Sequence, residues 1–437
     1  MKPILNIVIS RTQIFRSFIA SDNCQLILDL SNEYKINVLS PSYLQNLIKQ
    51  KITTSQIKVL DIDYYSVPEI EKFSRLQVFL LSVLKYITKT RANNYLIHQQ
   101  TNKKLFTIYF KLFCANYLAY IPYIKKITRQ IYYISVIYSK KTMKKFESLP
   151  NCDIVFLTSL TDMQTETLIG MYYSSLETKT IGTPRSWDNI TSHGCFPWIP
   201  DKILSHSDYM TSSLREIQGL PAKRISLAVA PNYQDVFLPA TVKVENRVRI
   251  GLACMGFTTN PDDLNLLKWF CTELAVSFED KDFYIYQHPK FLHKIQFNVP
   301  SNVFLRVFPY ESTTLQNYYS EIRMLDILFA GGTSVLLDAA FCDVPTAFIN
   351  FDCVKQDYWQ SALRYSDSLP HTADFLEFNQ INFVNSKLEI ENIILAQKEI
   401  NRRKPLYKSL NYFIVRHPSK YSHYFLRVSR ELLKNAS

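Results

Sequence analysis

Short apolar runs alternate with amphipathic stretches along most of the chain. In the first half, such runs lie at residues 4–10 and 152–159, with stretches of helical spacing around them. The second half repeats the pattern from residues 248–256 onward, and the helical stretch at 260–274 is predicted to begin with Asn260 as its N-cap. Apolar runs of strand length that alternate with helical stretches are typical of βαβ units, so the sequence predicts α/β domains with doubly wound parallel sheets.

A polar stretch that contains a proline, residues 238–247, separates the two series and has the composition of a linker. With 437 residues, the chain is long enough for two domains. We therefore predict a first Rossmann-like domain over residues 1–237, a second over residues 248–386, and a helical tail over residues 387–437. The whole chain has only eight glycines, which argues against a glycine-rich dinucleotide-binding fold.

The net charge of +12 is concentrated in one segment. Between Phe73 and Phe146 the sequence contains no Asp or Glu. The basic residues of this segment are Arg75, Lys85, Lys89, Arg91, Lys103, Lys104, Lys111, Lys125, Lys126, Arg129, Lys140, Lys141, Lys144 and Lys145. The rest of the chain is therefore close to neutral, and we predict a basic helical insertion at about residues 66–147 of the first domain.

The acid-free segment, residues 73–146, is open to three interpretations. Basic and aromatic residues on helices suit attachment to an anionic membrane surface, and the same composition can bind nucleic acid. A helical insertion whose apolar faces pack on the domain would have this composition too. We favour the membrane surface, because acidic residues are absent, and we expect no nucleic-acid partner. No apolar run reaches the roughly 20 residues needed to span a bilayer.

The eight cysteines are scattered and form no Cys-x-x-Cys pair. This spacing predicts neither a zinc site nor a disulfide framework, so we expect no metal, and reduced thiols in a cytoplasmic protein. The first ten residues contain a short apolar run without a cleavage pattern. They are typical of a first strand rather than of a signal peptide.

The segment Gly331-Gly332-Thr333-Ser334 follows an apolar run and precedes a helical stretch. Two glycines permit close approach of the backbone, and a helix N-terminus offers N–H groups and the positive end of the helix dipole. These four residues are therefore candidates for binding a phosphate or diphosphate. Alternatively, Thr333 or Ser334 is only the N-cap of the helix.

Four further residues follow predicted strands of the second half. His288 comes just past the run at 282–287, where its ring could donate to a phosphate oxygen and stabilise a leaving nucleotide. An isolated histidine is otherwise usually structural. Gly256, Thr258 and Tyr310 are candidates for the same ligand site, because they also lie after strand-like runs.

Two doubly wound halves joined by a linker and followed by a helical tail resemble the layout of GT-B glycosyltransferases. His288-Pro289 followed by Thr333-Ser334 resembles the HP and Ser/Thr motifs of bacterial sialyltransferases and related capsule enzymes, where these motifs contact the donor nucleotide. The segment DILFAGGTSVLLDAAFCDVPTAFI is also similar to the nucleotide-side segment of CDP-glycerol glycerophosphotransferases. The resemblance implies a GT-B fold, with two Rossmann-like domains facing a cleft that holds the chemistry.

The polar stretch RSWDNITSHG, residues 185–194, resembles the SWDN loop after a first-domain strand in a group of bacterial surface-carbohydrate transferases. The Glu-x7-Glu pair of many retaining GT-B enzymes is absent, which favours inversion, and inversion needs a general base at the acceptor hydroxyl. Asp188 is the candidate base. Alternatively, it forms an Asx-turn and its neighbour packs in the core. The candidate acceptor contacts are Arg11, Arg185, Trp187 and Asn189.

The sequence thus predicts a glycosyltransferase that moves a sugar from a nucleotide-activated donor to a bacterial surface polysaccharide (capsule or lipopolysaccharide) or to a lipid-linked glycan. His288, Thr333 and Ser334 would hold the nucleotide without a metal or a cofactor, and His288 would assist departure of the nucleotide. We expect a cytoplasmic protein docked peripherally on the inner face of the membrane. Two alternatives stay open: a CDP-glycerol-type glycerophosphotransferase and an inert GT-B-like scaffold.

Overall fold

The computed structural model divides into two compact units. The first unit holds the described residues up to position 233 and those from 411 onward, and the second holds those from 247 to 410. Of the predicted linker at 238–247, only Arg247 lies within the described residues. The structure describes residues 2–20, 24–54, 62–69, 73–88, 105–121, 123–160, 165–186, 189–192, 194–231, 233, 247–255, 260–287, 297–306, 315–357, 361–364, 366, 369–379, 381–396, 410–413 and 420–434.

Seven parallel strands form the sheet of the first unit, in the order β3-β2-β1-β4-β5-β6-β7. Its central strands β1 and β4 are buried apart from Ile4 and are apolar apart from Asn6, as expected where helices cover both faces of a sheet. The chain runs outward from β1 to β3 and then returns beside β1 as β4, so the topological switch point lies between β1 and β4. The strands are β1 (Ile4–Val8), β2 (Lys35–Ser40), β3 (Ile62–Ser66), β4 (Ile154–Leu157), β5 (Lys179–Gly182), β6 (Lys202–Ser205) and β7 (Ile225–Leu227).

Helices surround this sheet, and the predicted basic insertion is helical. Its first helix begins with a capping box, in which the Ser74 hydroxyl accepts from the Gln77 N–H and the Gln77 side chain accepts from the Ser74 N–H. The helices are α1 (Thr12–Phe15), α2 (Gln25–Ser31), α3 (Ser42–Thr54), α4 (Arg75–Tyr86), α5 (Leu105–Asn116), α6 (Ile124–Ile137), α7 (Lys140–Lys144), α8 (Thr165–Ser175), α9 (Asn189–Ser192) and α10 (Asp208–Glu216).

Six parallel strands form the sheet of the second unit, in the order β10-β9-β8-β11-β12-β13. The order reverses between β8 and β11, which is the switch point of this sheet. The strands are β8 (Arg249–Ala253), β9 (Asp282–Tyr286), β10 (Val303–Arg306), β11 (Ile327–Ala330), β12 (Thr346–Ile349) and β13 (Asn382–Val384). The helices are α11 (Asp263–Trp269), α12 (Ala275–Ser277), α13 (Leu315–Arg323), α14 (Val335–Phe341), α15 (Pro370–Asn379) and α16 (Lys387–Leu395). The predicted pair of doubly wound parallel sheets is confirmed.

The start of the helix after β8 differs from the prediction. Helix α11 begins at Asp263, with Asp262 at the N-cap position. The Asn260 side-chain oxygen accepts from the Asp262 N–H at 3.3 Å. The Asn260 backbone carbonyl accepts from the Asp263 N–H at 3.1 Å. Asn260 as N-cap is therefore wrong, because this residue forms a turn that precedes the helix.

The end of the chain returns to the first unit. After α17 (Leu410–Phe413), α18 (Tyr421–Lys434) buries Tyr421, Phe425, Val428 and Leu432 in the first unit's core. The ring of Phe425 lies 4.8 Å from that of Phe156 in β4. Tyr34 also donates to the Ser429 hydroxyl at 2.8 Å. The last helix is thus an integral part of the first unit's fold. Among the described residues, we find no helix with the length and apolar character that crossing a membrane requires.

Candidate functional site

Ligands of doubly wound sheets bind outside the carboxyl ends of the strands, at the switch point. In the first unit this place lies after β1 and β4, and in the second unit after β8 and β11. Each of these edges carries a group of polar residues.

A buried carboxylate lies at the switch point of the first sheet. Glu166, in the first turn of α8, is fully buried. The Ser10 hydroxyl, after β1, donates to its Oε1 at 2.6 Å, and the Ser159 N–H, after β4, donates to its Oε2 at 2.6 Å. The Thr158 hydroxyl, 3.5 Å from Oε1, donates to the Val8 carbonyl at 2.5 Å. One carboxylate therefore ties together the loops that follow the two central strands.

Reasoning from the sequence missed Glu166. The available signal was an acidic residue in the first turn of the helix after the fourth strand, where a negative charge is favoured by the helix dipole. The sequence does not show that this turn meets Ser10, which lies 156 positions earlier in the chain.

The candidate acceptor residues occupy this same edge where the structure describes them. Arg11 lies three residues after the end of β1, is exposed, and stands at the N-cap position of α1 with an extended backbone. Arg185 follows β5 and is half-buried, and Asn189 begins the short helix α9. Trp187 and Asp188 lie outside the described residues, so their roles stay predictions.

Strands β5 and β6 bring Thr183 and His206 together at this edge. The Thr183 hydroxyl donates to the Leu204 carbonyl at 3.0 Å and lies 2.7 Å from His206 Nε2. Since the hydroxyl proton is already donated, the His206 Nε2–H donates to the Thr183 oxygen. Burial lowers the pKa of His206 to about 3, so its ring is neutral near pH 7 and does not act as a titrating acid or base.

The second unit brings its glycine segment to its own switch point. Gly331 follows β11 directly, and a Cβ placed on it would lie 2.6 Å from the Met255 Sδ in the loop after β8. Its lack of a side chain therefore leaves room for the Met255 side chain to pack against it. Gly332, Thr333 and Ser334 continue this loop into α14.

The two hydroxyls of this segment differ in their contacts. Thr333 Oγ1 accepts from the Val335 N–H at 3.4 Å, which is a weak capping bond. Ser334 occupies the N-cap position, but its side chain accepts no capping bond, and the residue is exposed. Thr333 thus precedes the N-cap position and makes only this weak bond to the start of the helix, while Ser334, at the N-cap position, is exposed.

Two buried carboxylates, which the sequence reasoning also missed, hold the loops at this edge. Asp263 Oδ1 accepts from the Met255 N–H at 3.3 Å. The Asp262 carboxylate accepts from the Cys353 N–H, and from the Val354 N–H at 3.2 Å. Both residues are 2% exposed. The start of α11 therefore fixes the loops after β8 and β12.

The remaining candidate residues of the second half lie outside the described residues. These residues are Gly256, Thr258, His288 and Tyr310. The strands that precede them, β8, β9 and β10, end at the same edge of the sheet as β11. Within the part of the chain that the structure describes, no group of three or more His, Cys, Asp or Glu side chains is arranged to hold a metal ion.

No protein-family model matches the chain, and no curated protein matches it in sequence. Solved structures match its fold. A Listeria monocytogenes protein assigned as a UDP-N-acetylglucosamine 2-epimerase is similar over 99% of this chain and 96% of its own, with 12% identity and a TM-score of 0.50. The chain has the GT-B fold.

Two further structures resemble this GT-B chain. The glycotransferase of kitacinnamycin covers 98% of this chain and 99% of its own, with 9% identity and a TM-score of 0.49. MurG from Acinetobacter baumannii covers 98% of this chain and 100% of its own, with 10% identity and a TM-score of 0.44. With TM-scores under 0.5, these two structures add no argument, and at 12% identity the likeness to the Listeria monocytogenes protein shows the fold alone. The reaction therefore has to be inferred from the residues of the site.

Proposed function

We propose that the protein is an enzyme that acts on a nucleotide-activated sugar, and specifically a glycosyltransferase that extends a bacterial surface polysaccharide or a lipid-linked glycan. The observation that carries this proposal is that polar groups gather at both switch points. Glu166 ties the loops after β1 and β4, and Gly331 to Ser334 lie after β11. The similar Listeria monocytogenes protein is assigned to a UDP-sugar reaction, which supports a sugar nucleotide as the ligand.

In this proposal the second unit binds the nucleotide. Gly331 and Gly332 let phosphate oxygens approach the backbone, and the exposed Ser334 hydroxyl donates to them. Thr333 keeps the loop in its conformation through its bond to Val335. His288 donates to the phosphate that departs and offsets its developing charge.

The first unit provides the acceptor side. Asp188 removes the proton from the acceptor hydroxyl, whose oxygen attacks the anomeric carbon while the bond from that carbon to the phosphate oxygen breaks. The electron pair leaves with the nucleotide, and the configuration at the anomeric carbon inverts. Arg11 and Arg185 bind anionic or hydroxyl groups of the acceptor. Glu166 does not touch the acceptor, because its carboxylate is fully buried, and instead positions the loop after β1 that leads to Arg11.

A product assay with the purified protein, a panel of sugar nucleotides and glycan acceptors tests this function. We expect the nucleotide to be released only when an acceptor is present, together with a glycan extended by one sugar. The Asp188→Asn variant should release the nucleotide about 100-fold more slowly, since general-base catalysis accelerates a reaction about 10²–10⁴-fold. Glu147→Gln, which changes an exposed carboxylate of the same unit, is the control and should keep the wild-type rate.

The other products would contradict the proposal in distinct ways. An epimerised sugar nucleotide would assign an epimerase, and transfer of a phosphopolyol from a CDP-activated donor would assign a glycerophosphotransferase. No turnover with any donor, together with a biological role that survives Asp188→Asn and His288→Ala, would assign a scaffold.

A further inference from the structure

The acid-free segment exposes an unusual amount of apolar surface. Among the described residues, thirteen large apolar side chains of this segment are at least 45% exposed, against eleven large apolar side chains classed as exposed in all the rest of the described chain. Contiguous exposed apolar surface on a folded protein marks an interaction site. The question is what covers this surface.

Helix α6 carries an apolar stripe on its outward side. Ile127, Ile131, Ile134 and Tyr138 recur at helical spacing and are between 45% and 81% exposed. Its buried residues are Thr128, Tyr132 and Val136. An amphipathic helix on a protein surface normally turns its apolar stripe to the core and its polar side to water. Helix α6 packs on one side and still presents isoleucines on another.

Helix α5 repeats this arrangement with aromatic residues. Tyr109 and Phe113 on the helix and Tyr117 directly after its end are spaced four residues apart and are between 48% and 67% exposed. The rings of Phe113 and Tyr117 stack with their centroids 5.6 Å apart. Aromatic rings with a polar tip suit the boundary between water and lipid, where one end is apolar and the other is hydrated.

Helix α4 joins the other two helices. The ring of Phe79 on α4, itself 50% exposed, lies 5.5 Å from that of Phe110 on α5. The Gln77 side-chain amide donates to the Ser135 carbonyl of α6 at 3.1 Å. The three helices therefore pack into one group. We call their outward apolar side chains the α4–α6 face.

Some basic side chains of the segment make contacts inside the fold, and others are exposed to solvent. Lys111 is buried over the ring of Tyr86, and Arg129 donates to the Phe196 carbonyl and to Gln218, so these two cations stabilise the fold. The exposed cations among the described residues of the segment are Arg75, Lys126, Lys140, Lys141 and Lys144. Arg75 and Lys126 lie on α4 and α6, and the other three cations lie on α7, the helix that follows α6. The segment contains no acidic residue, so these helices combine exposed apolar side chains with a net positive charge.

We propose that the α4–α6 face docks on an anionic lipid bilayer, with its isoleucine and aromatic side chains in the interfacial region and with Lys126 and the lysines of the following helix α7 at the lipid phosphates. The charge favours an anionic partner, and the apolar stripes distinguish that partner from nucleic acid, since isoleucine gains nothing from a phosphate backbone. The proposal stands on this surface alone and does not depend on the sugar chemistry.

Vesicle flotation of the full chain tests the proposal. The probes are vesicles of phosphatidylcholine alone and vesicles that also contain phosphatidylglycerol. We expect binding to the anionic vesicles only, with affinity that falls as salt is raised. Neutralising Lys126, Lys140, Lys141 and Lys144 to Gln should weaken binding by about 100-fold or more, because each surface cation contributes on the order of 1 kcal/mol at an anionic membrane.

A second variant tests the apolar stripe. Ile127→Gln, Ile131→Gln and Ile134→Gln together should weaken binding by roughly 10-fold or more, through the loss of buried apolar area. The matched controls change the same chemistry outside the face. Lys223, Lys268, Lys355 and Lys420 to Gln remove four exposed charges, and Leu264, Val276 and Leu388 to Gln remove three exposed apolar side chains. Both controls should bind as the wild type does.

Three results would overturn the proposal. One is failure of the wild type to float with anionic vesicles, and another is equal losses in the face variants and their controls. The third is a wild-type oligomer in sedimentation equilibrium that the isoleucine variant dissociates, without vesicle binding, which would assign the face to a second copy of the chain. Circular dichroism and thermal unfolding of each variant verify that the loss is not one of folding.

Discussion

Replacement of Glu166 by alanine is expected to lower the free energy of unfolding by about 3–5 kcal/mol, because it leaves a buried N–H and a buried hydroxyl without their acceptor and opens a cavity. The N–H belongs to Ser159 and the hydroxyl to Ser10, and each now lies 2.6 Å from a carboxylate oxygen. Urea unfolding followed by tryptophan fluorescence or circular dichroism measures the loss.

Two comparisons separate the role of Glu166 from that of an ordinary acidic residue. Glu166→Gln keeps the shape of the side chain and one acceptor oxygen, so we expect its free energy of unfolding to fall by about 1–2 kcal/mol. Glu147→Ala removes an exposed carboxylate and should change stability by less than about 0.5 kcal/mol. A Glu166→Ala protein as stable as Glu147→Ala would show that the carboxylate does not hold the two loops together.

Gly194→Ala is expected to destabilise the first unit by about 3 kcal/mol, the sum of strain at a left-handed backbone position and of a clash with neighbouring backbone. Gly194 has φ +85°, and a Cβ on it would lie 2.6 Å from both the Cα and the carbonyl oxygen of Lys85. That backbone cannot give way easily, because the Cys195 N–H donates to the Leu84 carbonyl at 3.0 Å and the Gln218 amide donates to the Gly194 carbonyl at 2.9 Å.

Gly219→Ala is the matched control for this prediction. Gly219 has φ +69°, but no atom lies within 4 Å of the position of its added Cβ. The free energy of unfolding of Gly219→Ala should therefore fall by only about 1 kcal/mol, from backbone strain alone. Thermal unfolding of the two variants side by side gives the contribution of the clash. Equal losses of stability in the two variants would mean that a clash of the added Cβ with the end of α4 does not contribute to the destabilisation of Gly194→Ala.

The contact at Gly194 also connects two parts of the sequence that composition alone left separate. Gly194 ends the RSWDNITSHG stretch, and Lys85 belongs to the first helix of the basic insertion. The stretch that carries the candidate base Asp188 is therefore anchored at one end on the insertion that we propose to dock on a membrane. A protein attached through α4–α6 would hold this anchor close to a lipid-linked acceptor.

Local patterns were sufficient to predict the fold class. Apolar runs of four to six residues became β1, β4, β8 and β11, because strands buried on both faces have few polar positions. The edge strand β13, by contrast, has two exposed residues out of three and no such run. The local pattern at Asn260 also did not show that Asp262 and Asp263, two and three residues later, bind distant loops at the start of the helix.

The site was predictable only in part. Glycines and hydroxyls after an apolar run identify Gly331 to Ser334 locally, and the structure places that segment after β11 at a switch point. Glu166 could not be found in this way, because its importance depends on Ser10 and Ser159, and only the parallel pairing of β1 with β4 brings these residues together. The outward stripe of α6 was hidden as well, since periodicity alone does not tell which apolar side of a helix is packed.

The central claim is that the second unit binds a nucleotide through Gly331 to Ser334, and thermal unfolding with CMP, CDP, UDP and GDP tests it most directly. One of these nucleotides at about 100 times its dissociation constant should stabilise the wild type by about 2.7 kcal/mol. The Thr333→Val and Ser334→Ala double variant should lose most of this stabilisation, whereas Glu166→Gln should keep it. A wild-type melting temperature that none of the four nucleotides raises would contradict the account.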